Sequence, residues 1–267
     1  MLLSVLISWF SMEDVLKAAL NPDSAESKAL ISYIKGKTKK TISVDQRKLG
    51  LSGFSSGGNL ALNSAISLPD WPSIIPSDHP HPIVLLLFYP SFDARQLPSE
   101  RARPANYPVS KQFWSKLNDT LTPTYLPREH SGQLRASPGL ANASKYLHKN
   151  TKAFLLLTEV DTLAEQSQIC KSSLLVHVIT AARRIDLLTG VKHIHDVSRA
   201  DDVVVRTAPF KVEFIAALVV LLLISDLPQH GYTQMPDKFL GPKELESKYV
   251  EYKAAAAFAR EHWSSIA

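Results

Sequence analysis

Ile83-Val84-Leu85-Leu86-Leu87-Phe88-Tyr89 is an unbroken apolar run that stops at Pro90. Such a run predicts a central strand buried on both faces. Ala153 to Thr158 repeats the pattern, and Lys48 to Ser52 predicts a shorter strand before a glycine-rich turn. Val191 to Val197 alternates as a half-buried strand does, whereas Phe214 to Ile224 is apolar throughout and reads as a buried strand or helix. Helical spacing separates these runs. Val15, Leu16, Ala19 and Leu20 share one face of a helix over 13–20 that Asn21-Pro22 ends, and 27–34 is a second short helix. Asn59 to Ile66 starts another helix, Thr162 to Val176 opens with capping-box spacing between Thr162 and Glu165, and Glu244 to Trp263 closes the chain as an amphipathic helix. Strands alternating with helices predict an α/β fold, a mostly parallel sheet with helices on both faces, in a single domain over 1–267. The expected strands are 48–52, 83–89, 153–158 and one of 191–197 or 214–224. The stretch from Pro90 to Leu147, rich in Pro and Ser, is expected to be a long excursion above the sheet that lines the substrate pocket.

Composition narrows the class. Apolar residues make up 45% of the 267 and charged residues 21%, as in ordinary globular proteins. The net charge is +5, and its densest basic run, Lys35 to Lys40, has no interleaved aromatic residue. That run is expected to be a solvated loop rather than a nucleic-acid site. A single cysteine, Cys170, excludes an internal disulfide and suits a reducing, cytoplasmic location. Met1 to Phe10 lacks a basic start and a small-residue cleavage pattern, so it is not read as a signal peptide. The run 214–224 is shorter than the roughly 20 residues a membrane span needs, although membrane anchoring through it remains an alternative function.

Chemistry concentrates at Gly53-Phe54-Ser55-Ser56-Gly57-Gly58-Asn59-Leu60. Gly-x-Ser-x-Gly between a strand and a helix is the nucleophile-elbow pattern, a turn so tight that its flanking positions are expected to tolerate almost no side chain. The turn exposes the Ser55 hydroxyl and aims the next helix at the reacting centre. A serine nucleophile also needs a base, and a carboxylate to orient that base. Asp161 lies just past a buried strand, where ligands bind in open α/β sheets, and is the best acid; an N-cap role is its plainer explanation, and Glu159 sits closer to the strand. Five histidines follow it: His177, His193, His195, His230 and His262. His230 precedes Gly231 in a loop before the terminal helix. His193 with His195, and His79 with His81, lack a third ligand nearby, so no metal site and no cofactor is expected.

Together these stretches resemble the hormone-sensitive-lipase-like branch of the α/β-hydrolases, the fold-3 type of esterase and lipase in a fungal-looking form. The resemblance rests on Gly53 to Leu62, Leu87-Phe88-Tyr89-Pro90, Ala136-Ser137-Pro138, Thr158 to Glu165 and His230-Gly231-Tyr232, with Trp9 to Val15 similar to the helix before the nucleophile strand. It implies a hydrolase of small hydrophobic carboxylic esters that works through an acyl-enzyme. Ser55 would be nucleophile, Asp161 acid, His230 base and the Ser56 N–H an oxyanion donor. Phe54 departs from the family, which more often has an acidic residue there.

Two larger departures shape the expectation. The family carries a His-Gly-Gly-Gly-like oxyanion loop before the nucleophile, whereas Gly36, Gly50 and Gly53 are the only glycines upstream of Ser55 here. A partial fold is therefore expected, truncated at its N-terminus, without the first strands or that loop. A catalytically impaired relative is then the alternative to a working esterase. About 70 residues also separate Asp161 from His230, more than the roughly 30 of one βαβ step. Segments 174–188 and 198–227 have no family counterpart and are read as irregular insertions, rearranged or non-coding in origin.

Overall fold

The computed structural model describes residues 12–103, 111–158, 162, 163, 166, 203–208, 232–234 and 236–264. Four parallel strands form one sheet in the order β1 (Leu49–Phe54), β2 (Ile83–Phe88), β3 (Thr151–Thr158), β4 (Val203–Ala208). Leu51 stands opposite Leu85, and Leu85 opposite Ala153, so apolar side chains meet in register across the strands. Helices α1 (Met12–Leu20), α2 (Ala25–Thr38) and α3 (Ser56–Ala65) belong to the first half of the chain. Helices α4 (Lys111–Tyr125) and α5 (Ala143–Tyr146) lie in the excursion between β2 and β3, and α6 (Pro242–Ser264) closes the chain.

The pleat sorts the apolar run of β2 into two cores. Ile83, Leu85 and Leu87 pack with Leu16 of α1 and with Ala61, Leu62 and Ala65 of α3, joined by Ala153, Leu155 and Leu157 of β3. Val84 and Phe88 face the other way, with Phe154 and Leu156, onto Ala255, Phe258 and Ala259 of α6. Helices thus cover both faces, which is why β2 carries no polar position. Full burial of a leucine of this kind contributes roughly 1.5–3 kcal/mol.

The expected strands at 48–52, 83–89 and 153–158 are β1, β2 and β3, within two residues or so at their ends. Among the described residues the fourth strand is Val203–Ala208, inside the segment 198–227 that the family resemblance left without a counterpart. Its three valines favour a strand, but Arg206 and Thr207 break the apolar run that marked the other strands. The candidates at 191–197 and 214–224 lie outside the described residues, as do segment 174–188, Cys170 and all of 162–176 except Thr162, Leu163 and Gln166. Among the described residues no helix is long and apolar enough to cross a membrane.

Between β1 and α3 the backbone folds back on itself. A Cβ built on Gly53 would stand 2.0 Å from the Gly57 carbonyl oxygen and 2.5 Å from the Gly58 nitrogen. One on Gly58 would stand 2.6 Å from Pro90 Cβ. One on Gly57 would meet nothing within 4 Å. The expectation that both flanking glycines exclude a side chain therefore holds for Gly53 and is corrected for Gly57; the second crowded position is Gly58.

The opposite, amino-terminal end of the sheet carries a histidine cluster. His79 lies with its ring centroid 5.7 Å from His81 and 6.2 Å from His148, and its Nε2 is buried with no hydrogen-bond partner. His148 bonds the Pro76 carbonyl through Nε2 and accepts the Asn150 N–H at Nδ1, both at 3.1 Å. The Asn150 side chain in turn donates to the His79 and Pro80 carbonyls at 2.9 and 3.1 Å. His148 is thereby fixed as the neutral Nε2–H tautomer, and the Pro-rich loop before β2 is clasped to the start of β3.

Burial, then the neighbouring His148 and His81 rings, lower the pKa of His79 against the opposing effect of Asp78. Burial also lowers that of His148, against the Pro76 carbonyl and Asp78 and together with Lys149. Unfolded, both titrate near 6.5. The stability tied to their neutral forms is therefore whole above about pH 6.5 and lost as pH falls through the lowered folded values. The urea midpoint should drop between about pH 7.5 and pH 5, and drop less in His79→Leu; equal slopes with pH in the two proteins would contradict the clasp. Separately, Gly53→Ala and Gly58→Ala should each destabilise by about 2 kcal/mol or more through overpacking. Gly57→Ala should stay within about 0.5 kcal/mol of the parent or gain slightly in helix propensity. Thermal melts of the three variants give the order.

Candidate active site

Ser55 follows β1 and caps α3 with φ 51° and ψ −118°, a backbone conformation that costs a non-glycine residue about 1–3 kcal/mol. Four backbone hydrogen bonds hold it there. Its N–H donates to the Phe88 carbonyl at 3.0 Å. Its own carbonyl accepts from Gly58 N–H at 3.0 Å, Asn59 N–H at 3.3 Å and Ser91 N–H at 3.2 Å. The strain is thus fixed by the end of β2 on one side and the first turn of α3 on the other. Ser56 begins α3, so its N–H is one of those that have no acceptor within the helix. At a helix start such a group, with the helix dipole behind it, favours negative charge.

Asn59 ties this turn to the excursion between β2 and β3. Its Nδ2 donates to the carbonyls of Ser91 at 2.8 Å and Ala136 at 2.9 Å. One turn on, Asn63 Nδ2 donates to Asn59 Oδ1 and to the Arg135 carbonyl, both at 2.8 Å. The fully buried Ser137 hydroxyl donates to the Ser131 carbonyl at 2.6 Å and accepts the Ala94 N–H at 2.7 Å. Gly139 packs on Phe92, where an added Cβ would stand 2.7 Å from Phe92 Cβ. The Ala136-Ser137-Pro138 motif therefore braces the loop that follows β2. The asparagine pair was legible only as an i, i+4 spacing of amides on a helix, a weak sign that α3 is roofed by backbone carbonyls.

Phe54 has a place in this arrangement. It stacks on Phe88 with ring centroids 4.6 Å apart and meets Tyr89 at 6.0 Å and Tyr252 of α6 edge-on at 6.5 Å. An acidic residue would lose these contacts. Nearby, burial pushes the Asp93 carboxyl up, but hydrogen bonds from Arg95 outweigh it and leave its pKa lowered. Arg95 grips both Asp93 oxygens at 2.7–3.1 Å, so Asp93 is committed to that pair.

Asp161, Glu159, His177, His193, His195 and His230 lie outside the described residues. Their described neighbours approach the elbow. Gln166 Oε1 accepts the Asp93 N–H at 3.3 Å, which returns the chain after β3 to the loop beyond β2. Thr233 shares a 2.7 Å hydrogen bond with the Tyr89 hydroxyl, one residue past the Phe88 that anchors Ser55. His262 is excluded as a partner of Ser55. Its ring packs on Phe258 at 4.4 Å, and the adjacent Trp263 indole donates to the Leu49 carbonyl at the start of β1, a strand length of roughly 16 Å from the turn. His79, His81 and His148 lie at that same remote end. Among the described residues no group of three or more His, Cys, Asp or Glu side chains is arranged to hold a metal ion.

Residues 12–193 match the family profile of the alpha/beta hydrolase fold. No curated protein matches the chain. Among solved structures it is similar to the ester-hydrolase EH1AB1 from the metagenome of Lake Arreo, at 18% identity and a TM-score of 0.49, over 88% of this chain and 57% of that one. It is also similar to carboxyl esterase 2 of the mycorrhizal fungus Tuber melanosporum, at 13% identity and a TM-score of 0.44, over 86% of this chain and 60% of that one. A bacterial heroin esterase is similar at 16% identity and a TM-score of 0.48, over 89% of this chain and 58% of that one. The chain thus spans 57–60% of the length of these proteins, and at such likeness they carry no conclusion about its chemistry. The profile match, which takes in β1, the turn at Ser55, β2 and β3, makes the chain a member of the alpha/beta hydrolase fold family.

Proposed function

We propose that this chain is a serine hydrolase of carboxylic esters that acts on a small hydrophobic ester through an acyl-enzyme. The observation that carries the proposal is the strained Ser55 backbone at the strand-to-helix turn, held by four hydrogen bonds and followed at once by a helix N-terminus. Strain of this kind persists where surrounding structure over-determines it, as at sites where one side chain must be presented. In the proposed reaction Ser55 Oγ attacks the ester carbonyl carbon while His230 takes its proton. The oxygen of the tetrahedral intermediate accepts the Ser56 N–H, and the alcohol departs with the proton from His230. Water, activated by the same base, then hydrolyses the acyl-serine. Asp161 holds the imidazole tautomer.

Chain connectivity supports the assignment of the two partners. β3 ends at Thr158 on the side of the sheet where β1 ends at the elbow, and Asp161 comes three positions later in the sequence. His230 precedes the anchored Thr233 by three positions, a span of at most about 10–11 Å. No nucleic acid and no cofactor enters this scheme.

One observation favours an impaired version of the same enzyme. All three glycines before Ser55 are engaged elsewhere: Gly36 lies in α2, while Gly50 and Gly53 lie in β1 against Trp263 and Gly57. None belongs to an adjacent-glycine loop that could add oxyanion donors to Ser56. Each missing donor costs roughly 10²–10³ in turnover. Expressed as these 267 residues, the protein should therefore take a fluorophosphonate label yet hydrolyse p-nitrophenyl butyrate slowly. Peptide mapping should place the label on Ser55, Ser55→Ala should abolish it, and His230→Gln or Asp161→Asn should slow it by about 10²-fold or more. Labelling that survives Ser55→Ala would end the proposal. Fast turnover that requires Ser55 would instead mean that another backbone segment completes the oxyanion site.

A further inference from the structure

Tyr89 joins three parts of the molecule. It follows β2 with a positive φ of 37°, and its N–H donates to the Leu156 carbonyl of β3 at 2.7 Å. Its ring meets Phe54, the residue before Ser55. Its hydroxyl, buried with the ring, shares the hydrogen bond with Thr233 Oγ1 and accepts one from Gln234 Nε2 at 3.4 Å. Thr233 is also held through its backbone, where the Tyr252 hydroxyl of α6 donates to its carbonyl. The turn that follows is pinned to the same helix, with Lys248 Nζ 3.0 Å from Asp237 Oδ1 and the Tyr249 hydroxyl donating to Oδ2.

A threonine only 1% exposed, held at its side chain and at its carbonyl by two tyrosine hydroxyls, is more than a short loop needs in order to cross a surface. The grip fixes the point from which the preceding residues leave, and it refers that point to the strand end that also fixes Ser55. We propose that Tyr89 and Thr233 are positioning residues, a buried hydroxyl pair that sets the approach of His230 to Ser55. The proposal rests on the triad reading above. Neither side chain is assigned a contact with substrate.

The test is the rate of Ser55 labelling by a fluorophosphonate, measured on the full chain between about pH 5 and 9. Tyr89→Phe and Thr233→Val should each slow labelling about ten- to a hundredfold and flatten its rise through the imidazole range. Thr233→Ser, which keeps the hydroxyl, should label near the parent rate. Because the Tyr89–Thr233 hydrogen bond is lost in either case, with Tyr89→Phe also losing the longer one from Gln234, the double variant Tyr89→Phe/Thr233→Val should be no slower than the slower single variant. Thermal melts accompany each variant, and Thr233→Val, near-isosteric, decides the matter if Tyr89→Phe does not fold. Parent-like rates and pH profiles in both single variants, with labelling lost in His230→Gln, would overturn the positioning role and leave the triad standing. Parent-like labelling in His230→Gln, or none in the unaltered chain, would overturn the triad and the positioning role with it.

Discussion

A carbonyl oxygen of α3 stands 2.0 Å from where the Cβ of residue 53 would be, and much of this structure follows from that approach. A strand can turn into a helix this tightly only if the residue between them leaves the ordinary regions of backbone space, as Ser55 does. That conformation persists because Phe88, Gly58, Asn59 and Ser91 hold both polar backbone groups of Ser55. The end of β2 is therefore part of the turn. Pro90, packed against Gly58, closes the arrangement from the same side.

The parallel sheet then gives its two ends different roles. At the carboxyl end the elbow, the loop after β2 and the turn at Thr233 are linked by hydrogen bonds through Asn59, Tyr89 and Tyr252. At the amino end the histidines, Asn150 and the Pro-rich loop form a clasp whose groups are satisfied or buried among themselves. Chemistry needs a presented reactive group with preorganised donors, and among the described residues the strained Ser55 beside a helix N-terminus stands at the first end. Helix α6 serves both ends, with Tyr252 near the elbow and Trp263 over the start of β1.

Much of this was legible in residues. The apolar runs of β2 and β3 admit few alternatives, because a strand covered on both faces has no room for polar side chains, and the glycine-framed Ser55 announces its turn. Val203 to Ala208 was harder to see, since a short strand with Arg206 and Thr207 has neither continuous nor alternating apolarity. Gly57 departs from the pattern for a physical reason. The pattern Gly-x-Ser-x-Gly marks where backbones approach, but it does not say which of the two glycines at 57 and 58 faces the neighbour. The brace through Asn59, Asn63 and Ser137 was hidden because backbone carbonyls, which every residue has, are the acceptors. The anchoring of Thr233 by Tyr89 joins residues far apart in the chain, and no local pattern encodes it.

The most direct check of the central claim is a crystal structure of the chain after reaction with an alkyl phosphonate ester, whose tetrahedral phosphorus imitates the acylation intermediate. The account predicts phosphorus bonded to Ser55 Oγ, a phosphonyl oxygen accepting the Ser56 N–H at about 2.7–3.1 Å, and the His230 ring within about 3.2 Å of an oxygen on phosphorus. Phosphorus on another residue, or on Ser55 with His230 more than about 10 Å away, roughly three times hydrogen-bond reach, would contradict it.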